Sequence, residues 1–148
     1  MVKIVTYNCR SVKSSIADVR MLCDQSDICL IQEHWLFKDE LPLLSSIHPD
    51  FQAFGISAID SKKELFVGRP YGGTAILWRK SLCGLITPKS YNDPRIVGVE
   101  LATETGNCLI LCVYLPTDSR ENFDDFTHYL GKIHSIIQNA DTPTGFLG

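Results

Sequence analysis

At 148 residues and a net charge of −3, the chain is long enough to bury a core and too acidic for a protein whose whole surface grips nucleic acid. Its 45% hydrophobic and 21% charged content is that of an ordinary globular domain. No sustained apolar run precedes Asn8 and Arg10, so the opening residues read as neither a secretory leader nor a membrane span. The six cysteines form no CxxC pair, and no N-x-S/T sequon occurs. Neither an extracellular disulfide scaffold nor a zinc site is expected, which places the chain in the nucleus or cytoplasm and not among secreted proteins.

No repeat, low-complexity tract or Pro/Gly/Ser linker divides the chain, so residues 1–148 read as one domain. "KIVTYN" (3–8) has the β-branched alternation of a strand. In the following stretch Ile16, Val19 and Cys23 recur at helical spacing, and Ser15 with Asp18 resembles a capping box. "DICLIQEHW" is a short apolar run that predicts a buried strand, completing a β-α-β order. After a short helix around 40–47 the texture turns to strands: "FQAFGIS", "GGTAILWRK", "CGLITP", "RIVGVELAT" and "NCLILCVYLP", with "ETGN" (104–107) as the hairpin turn between the last two. Cys108 and Cys112 fall on one face of the final run, where core packing is the expected role. Phe123, Phe126, Leu130, Ile133 and Ile137 then alternate at spacings of three and four and predict an amphipathic helix. "TGFLG" begins a further strand. The fold class is α/β with substantial antiparallel sheet.

Several residues at strand ends carry chemistry. Asn8, closing the first strand, is suited either to bonding a turn or to orienting a phosphate oxygen or a metal ligand. Glu33 closes "ICLIQE", where a carboxylate needs compensation by a divalent cation or an arginine. In "GRPYGGTAIL" the glycines permit a tight turn, and Arg69 offers a planar fork that suits phosphate; the stretch lacks P-loop spacing and precedes a strand. Tyr114 ends the run "LILCVY", in either a core or a ligand role. His34, His48, His128 and His134 form no ligand spacing, and neither a GxSxG elbow nor a Ser-His-Asp pattern occurs. Charge is uneven: from Lys62 to Arg95 there are seven basic residues and two acidic ones. That is the pattern of a phosphate-facing edge, or of a lysine-rich solvated loop.

In order, "VTYNCRS", "ICLIQEHWL", "GRPYGGTAIL", "LILCVYLPT", a long helix and "GFLG" resemble the endonuclease/exonuclease/phosphatase family. Within it, the apurinic-type endonuclease domain of non-LTR retrotransposons is the branch they resemble. The resemblance covers the whole chain and implies part of a four-layer αββα sandwich of the DNase I-like kind. Residues 1–148 would be its N-terminal part, with the C-terminal half absent. It also implies phosphodiester cleavage with Mg²⁺ or Mn²⁺, with Glu33 as a metal ligand, Asn8 in the active-site polar network and Tyr114 against the scissile phosphate. These three groups are expected to converge at one sheet edge. DNA would be the substrate, held in part by Lys62, Lys63 and Arg69, and a C-terminal reverse transcriptase would follow in a full-length protein. Further catalytic groups in such proteins lie on the strand that "GFLG" opens and beyond. Residues 1–148 alone are therefore expected to cleave DNA poorly. Two other readings stand beside this one: a non-catalytic nucleic-acid-binding remnant, and a small-molecule or lipid phosphodiesterase of the same family.

Overall fold

The computed structural model describes residues 1–59, 66–117, 119–140 and 144–147. The first sheet contains β1 (Ile4–Asn8), β2 (Ile28–Gln32), β3 (Phe51–Ile56) and β4 (Thr74–Arg79), in the order β1-β2-β4-β3. Strands β1 and β2 run parallel. Such a pair needs a crossover, and α1 (Ile16–Gln25) supplies it. The second sheet has the order β5-β6-β7-β8. Its members are β5 (Ile86–Asp93), β6 (Ile96–Thr103), β7 (Gly106–Val113) and β8 (Thr144–Leu147). The parallel β7–β8 pair is bridged by α2 (Phe123–Asn139).

The two sheets pack face to face. Ile28, Leu30, Ile76 and Trp78 of the first meet Val97, Val99, Leu101, Ile110 and Cys112 of the second, with Cys108 packed at the margin. Outside the first sheet, Val19 and Cys23 of α1 close a core with Cys29, Ile31, Ala75 and Leu77. Outside the second sheet, Ile133 of α2 packs on Ile96, Leu109 and Leu111. The layers are helix, sheet, sheet, helix, as the resemblance implies, and β2 is buried along its whole length because both of its faces are covered. No helix among the described residues is long and apolar enough to cross a membrane.

Four local expectations change. Ser15 makes no side-chain cap for α1; its hydroxyl donates to Cys9 O at 2.8 Å and ties the helix start to the loop after β1. The short helix is a 3-10 segment, Lys38–Ser46, with Pro42 inside it. The strand expected at "CGLITP" begins only at Ile86, after a 3-10 segment over Lys80–Leu85. It then runs on through Pro88, because β5 is an edge strand where a missing N–H costs no ladder bond. In α2 the stripe is rotated: Ile133 is buried, but Phe123, Leu130 and Ile137 are exposed. Tyr129, Ile136 and Ala140 take the places against the sheet.

Candidate active site

β2 delivers Glu33 to the end of the first sheet, and the backbone changes direction there. Glu33 and Trp35 have φ of 56° and 59°, left-handed values uncommon for residues with side chains. The turn is pinned on both sides. Ser11 N–H donates to Glu33 O at 2.9 Å and Val12 N–H to His34 O at 3.1 Å, while Glu33 N–H and Trp35 N–H donate to Gly73 O and Gly72 O, each at 2.9 Å. In a continued strand residue 33 would face away from Gln32, whose amide donates across the inter-sheet core to Cys112 Sγ at 3.3 Å. The left-handed turn instead turns the Glu33 carboxylate to the inter-sheet side.

There it meets Tyr114, just past β7, whose hydroxyl donates to Glu33 Oε1 at 2.9 Å. Tyr114 is held by Arg95: the guanidinium donates to Tyr114 O at 2.9 Å and lies 5.2 Å from the Tyr114 ring centre and 5.6 Å from that of Tyr129, within cation–π range. Burial, the Glu33 hydrogen bond and the Glu33 charge push the Tyr114 phenol above its ordinary range, against smaller pulls from Arg95 and Arg10. At neutral pH Tyr114 therefore keeps its proton and is a hydrogen-bond donor, to Glu33 or to an oxyanion in its place, and not a base. Glu33, Tyr71, Gly72, Gly73, Arg95 and Tyr114 line a cavity of about 320 Å³.

Asn8 stands opposite Gln32 in the β1–β2 register, one residue short of Glu33's level. It is exposed, and its Oδ1 accepts the Arg10 N–H at 3.3 Å, the turn-bonding role that was one of its two readings. Of the three groups expected to converge, Glu33 and Tyr114 touch, while Asn8 sits at the end of the neighbouring strand with its side chain bonded to Arg10. The Glu33–Tyr114 contact occurs at the mouth between two sheets and not along one sheet edge, because Tyr114 belongs to the second sheet. Arg69 is exposed on the loop before β4. Lys62 and Lys63 lie outside the described residues. Two of the stretch's described charges are partnered: Arg79 pairs with Asp27 at 3.4 Å and Lys89 with Glu100 at 3.2 Å.

Sequence reasoning missed Arg95, counted only as one more charge, and His34, given no role. The only signal for His34 was its place between a strand-ending carboxylate and a later Gly-Gly pair. Two thiols border the site. Burial pushes both Cys9 and Cys112 up to about 12, so they stay protonated and offer no thiolate. Among the described residues no group of three or more His, Cys, Asp or Glu side chains is placed to hold a metal ion.

Comparison with known proteins bears on this arrangement. The family model of the Endonuclease/Exonuclease/phosphatase family matches residues 5–140. The chain belongs to that family. An RNA-directed DNA polymerase from the mobile element jockey of Drosophila melanogaster is 40% identical over 60 residues, which is 40% of this chain and 7% of that protein. Among solved structures, an AP endonuclease from Archaeoglobus fulgidus superposes with a TM-score of 0.63 at 18% identity, over 95% of this chain and 53% of its own. A 3′ phosphatase from Neisseria bound to product DNA hairpin gives 0.61 at 18% identity, over 94% of this chain and 54% of its own. These likenesses establish the fold as DNase I-like. The chain spans about half the length of those structures and a small fraction of the jockey polymerase.

Proposed function

We propose that this chain is part of a retroelement DNA endonuclease, a phosphodiester hydrolase dependent on a divalent cation, which in the full-length protein precedes a reverse transcriptase. The observation that carries the reading is the 2.9 Å hydrogen bond from the Tyr114 hydroxyl to Glu33, made between residues of different sheets at the rim of a cavity. Similarity to the jockey polymerase supports the retroelement assignment, and DNA in the Neisseria structure supports the substrate.

The donor atoms fit a hard cation. Glu33 brings a half-buried carboxylate and Asn8 an amide oxygen, donors of the kind Mg²⁺ and Mn²⁺ take, while Tyr114 keeps its proton and offers a hydrogen bond beside them. The neighbouring thiols are protonated and do not compete. Glu33 would hold the ion, which supplies neutralisation of the charge that builds on phosphate oxygens in the transition state. Tyr114 contributes its proton as a hydrogen bond to a phosphate oxygen. Arg95 keeps the Tyr114 ring in place and adds positive charge at the rim, and Asn8 orients the polar network at the end of β1. One carboxylate holds such an ion weakly, because Mg²⁺ binds through one or two carboxylates and retains several waters. Residues 1–148 alone are therefore expected to bind it weakly and to nick DNA little above background.

Arg69, Lys62 and Lys63 are assigned to the DNA backbone. Contacts of this type are independent of sequence and weaken as salt rises. Neutralising the three together should lower DNA affinity and flatten its salt dependence, and an affinity indifferent to salt would refute the assignment.

The decisive experiment is Mg²⁺-dependent nicking of supercoiled plasmid by the product of the gene's whole open reading frame, compared with Glu33→Gln. The expected result is nicking that the substitution abolishes. Hydrolysis of inositol phosphates without nicking would assign the domain to small-molecule substrates. DNA binding without any hydrolysis would identify a non-catalytic remnant.

A further inference from the structure

We propose that His34 is a positioning residue for the active site, a buried imidazole wedge that holds the left-handed turn by which Glu33 reaches Tyr114. The proposal builds on the reading of Glu33 as the metal ligand. His34 is 0% exposed, and both of its ring nitrogens are engaged. Leu36 N–H donates to Nδ1 at 2.9 Å, so that nitrogen carries no proton. Nε2 therefore carries it and donates to Ile56 O at 2.9 Å. One neutral ring thus joins the turn to the end of β3.

The ring also sets what the neighbouring loop must be. A Cβ added at Gly73 would lie 2.2 Å from His34 Cε1, and the same glycine accepts the Glu33 N–H. The glycine pair of "GRPYGG" and the histidine of "QEHW" are therefore two halves of one joint. The joint works against a strained backbone, since the residues on either side of His34 both have positive φ. Such conformations persist only where the surroundings over-determine them. If the turn relaxed to an extended strand, the Glu33 side chain would swing to the opposite face of the first sheet and leave Tyr114.

A residue that merely filled the core would be replaceable by an apolar side chain of similar size with no effect on Glu33. The test compares His34→Leu with His34→Asn, whose Oδ1 keeps an acceptor for Leu36 N–H, and uses Glu33→Gln as reference. Two readouts are taken on the full chain: Mn²⁺ affinity by electron paramagnetic resonance, and the Tyr114 signal in protein labelled with ¹³Cζ-tyrosine, assigned with Tyr114→Phe. In His34→Leu the Mn²⁺ dissociation constant should rise at least about fivefold, and the Tyr114 signal should move toward its position in Glu33→Gln. His34→Asn should stay within about twofold of the parent. A folded His34→Leu with parental affinity and an unmoved Tyr114 signal would overturn the proposal. If that variant does not fold, His34→Gln, which retains a donor for Ile56 O alone, is judged by the same two readouts. If Glu33→Gln binds Mn²⁺ as well as the parent, the metal assignment fails, and the Tyr114 signal still decides the role of His34.

Discussion

At one end of the β2–β4 pair, Arg79 donates to the carbonyls of Cys23 and Ser26 at 2.9 and 2.7 Å, and its guanidinium lies over the Phe51 ring at 4.8 Å. At the other end, Glu33 faces a cavity and meets the hydroxyl of a residue 81 positions away. The first end is closed, its charge consumed by carbonyls and by Asp27. The second gathers strain: Arg10, Ser11, Glu33 and Trp35 have positive φ despite their side chains and lie, with the positive-φ glycines Gly72 and Gly73, in the three loops around the site. Two ends of the same strands thus do different work. Polar groups that satisfy one another add stability, while a carboxylate held in a strained turn at a cavity is available to a ligand.

The sharpest way to break this contrast is Gly73→Ala. The added methyl would collide with His34 in a backbone at φ 91°, and overpacking together with the φ penalty should cost about 3–5 kcal/mol. Urea unfolding measures it, and a near-neutral result would show that the ring has room to move. Next in size is Arg79→Ala, which leaves two carbonyls without their charged donor and should cost about 2–3 kcal/mol. Mn²⁺ affinity at Glu33 should be unchanged in this variant; a parallel loss of affinity would mean that the two ends are not separate.

Asp93 tests the second sheet's share in holding Arg95. Burial alone would raise its carboxyl, but Lys132 Nζ at 2.9 Å, the Arg95 N–H and the Tyr129 hydroxyl bring it below the ordinary carboxylate range. With the folded value below the unfolded one, about 3.9, its contribution is present above that pH and is lost as pH falls through the folded value. Asp93→Asn should therefore cost about 1–2 kcal/mol at neutral pH and flatten the acid-side fall of Tm. A parental acid profile would remove Asp93 from the account. The smallest effect is expected for Tyr114→Phe, within about 1 kcal/mol in stability, because Glu33 borders a cavity that water can enter. Its consequence should appear in plasmid nicking by the full-length protein; unchanged nicking would remove Tyr114 from the site.

The strands around the site were legible because their signals are local. "ICLI" is apolar throughout since both faces of β2 are covered, and the 106–113 strand stops shortly before Pro116. The face of α2 was less legible. Phe123, Leu130 and Ile137 have the right spacing, but Tyr129 and Ile136 compete for the same sheet, and only packing decides between two overlapping stripes. Arg95 and Lys89 look equivalent in the sequence; one stacks on Tyr114, whereas the other pairs with Glu100.

By itself the sequence determined the α/β class, nearly all the elements, the family, and three polar residues at strand ends, because periodicity, turn residues and short motifs are set by neighbours along the chain. Only the tertiary structure decided that Glu33 and Tyr114 touch, that they do so between two sheets, and that His34 and Gly73 form the joint behind them. Those contacts depend on how the sheets pack and on left-handed backbone at residues that are not glycine. Local pattern does not encode such a conformation, because it is sustained by partners distant in the chain.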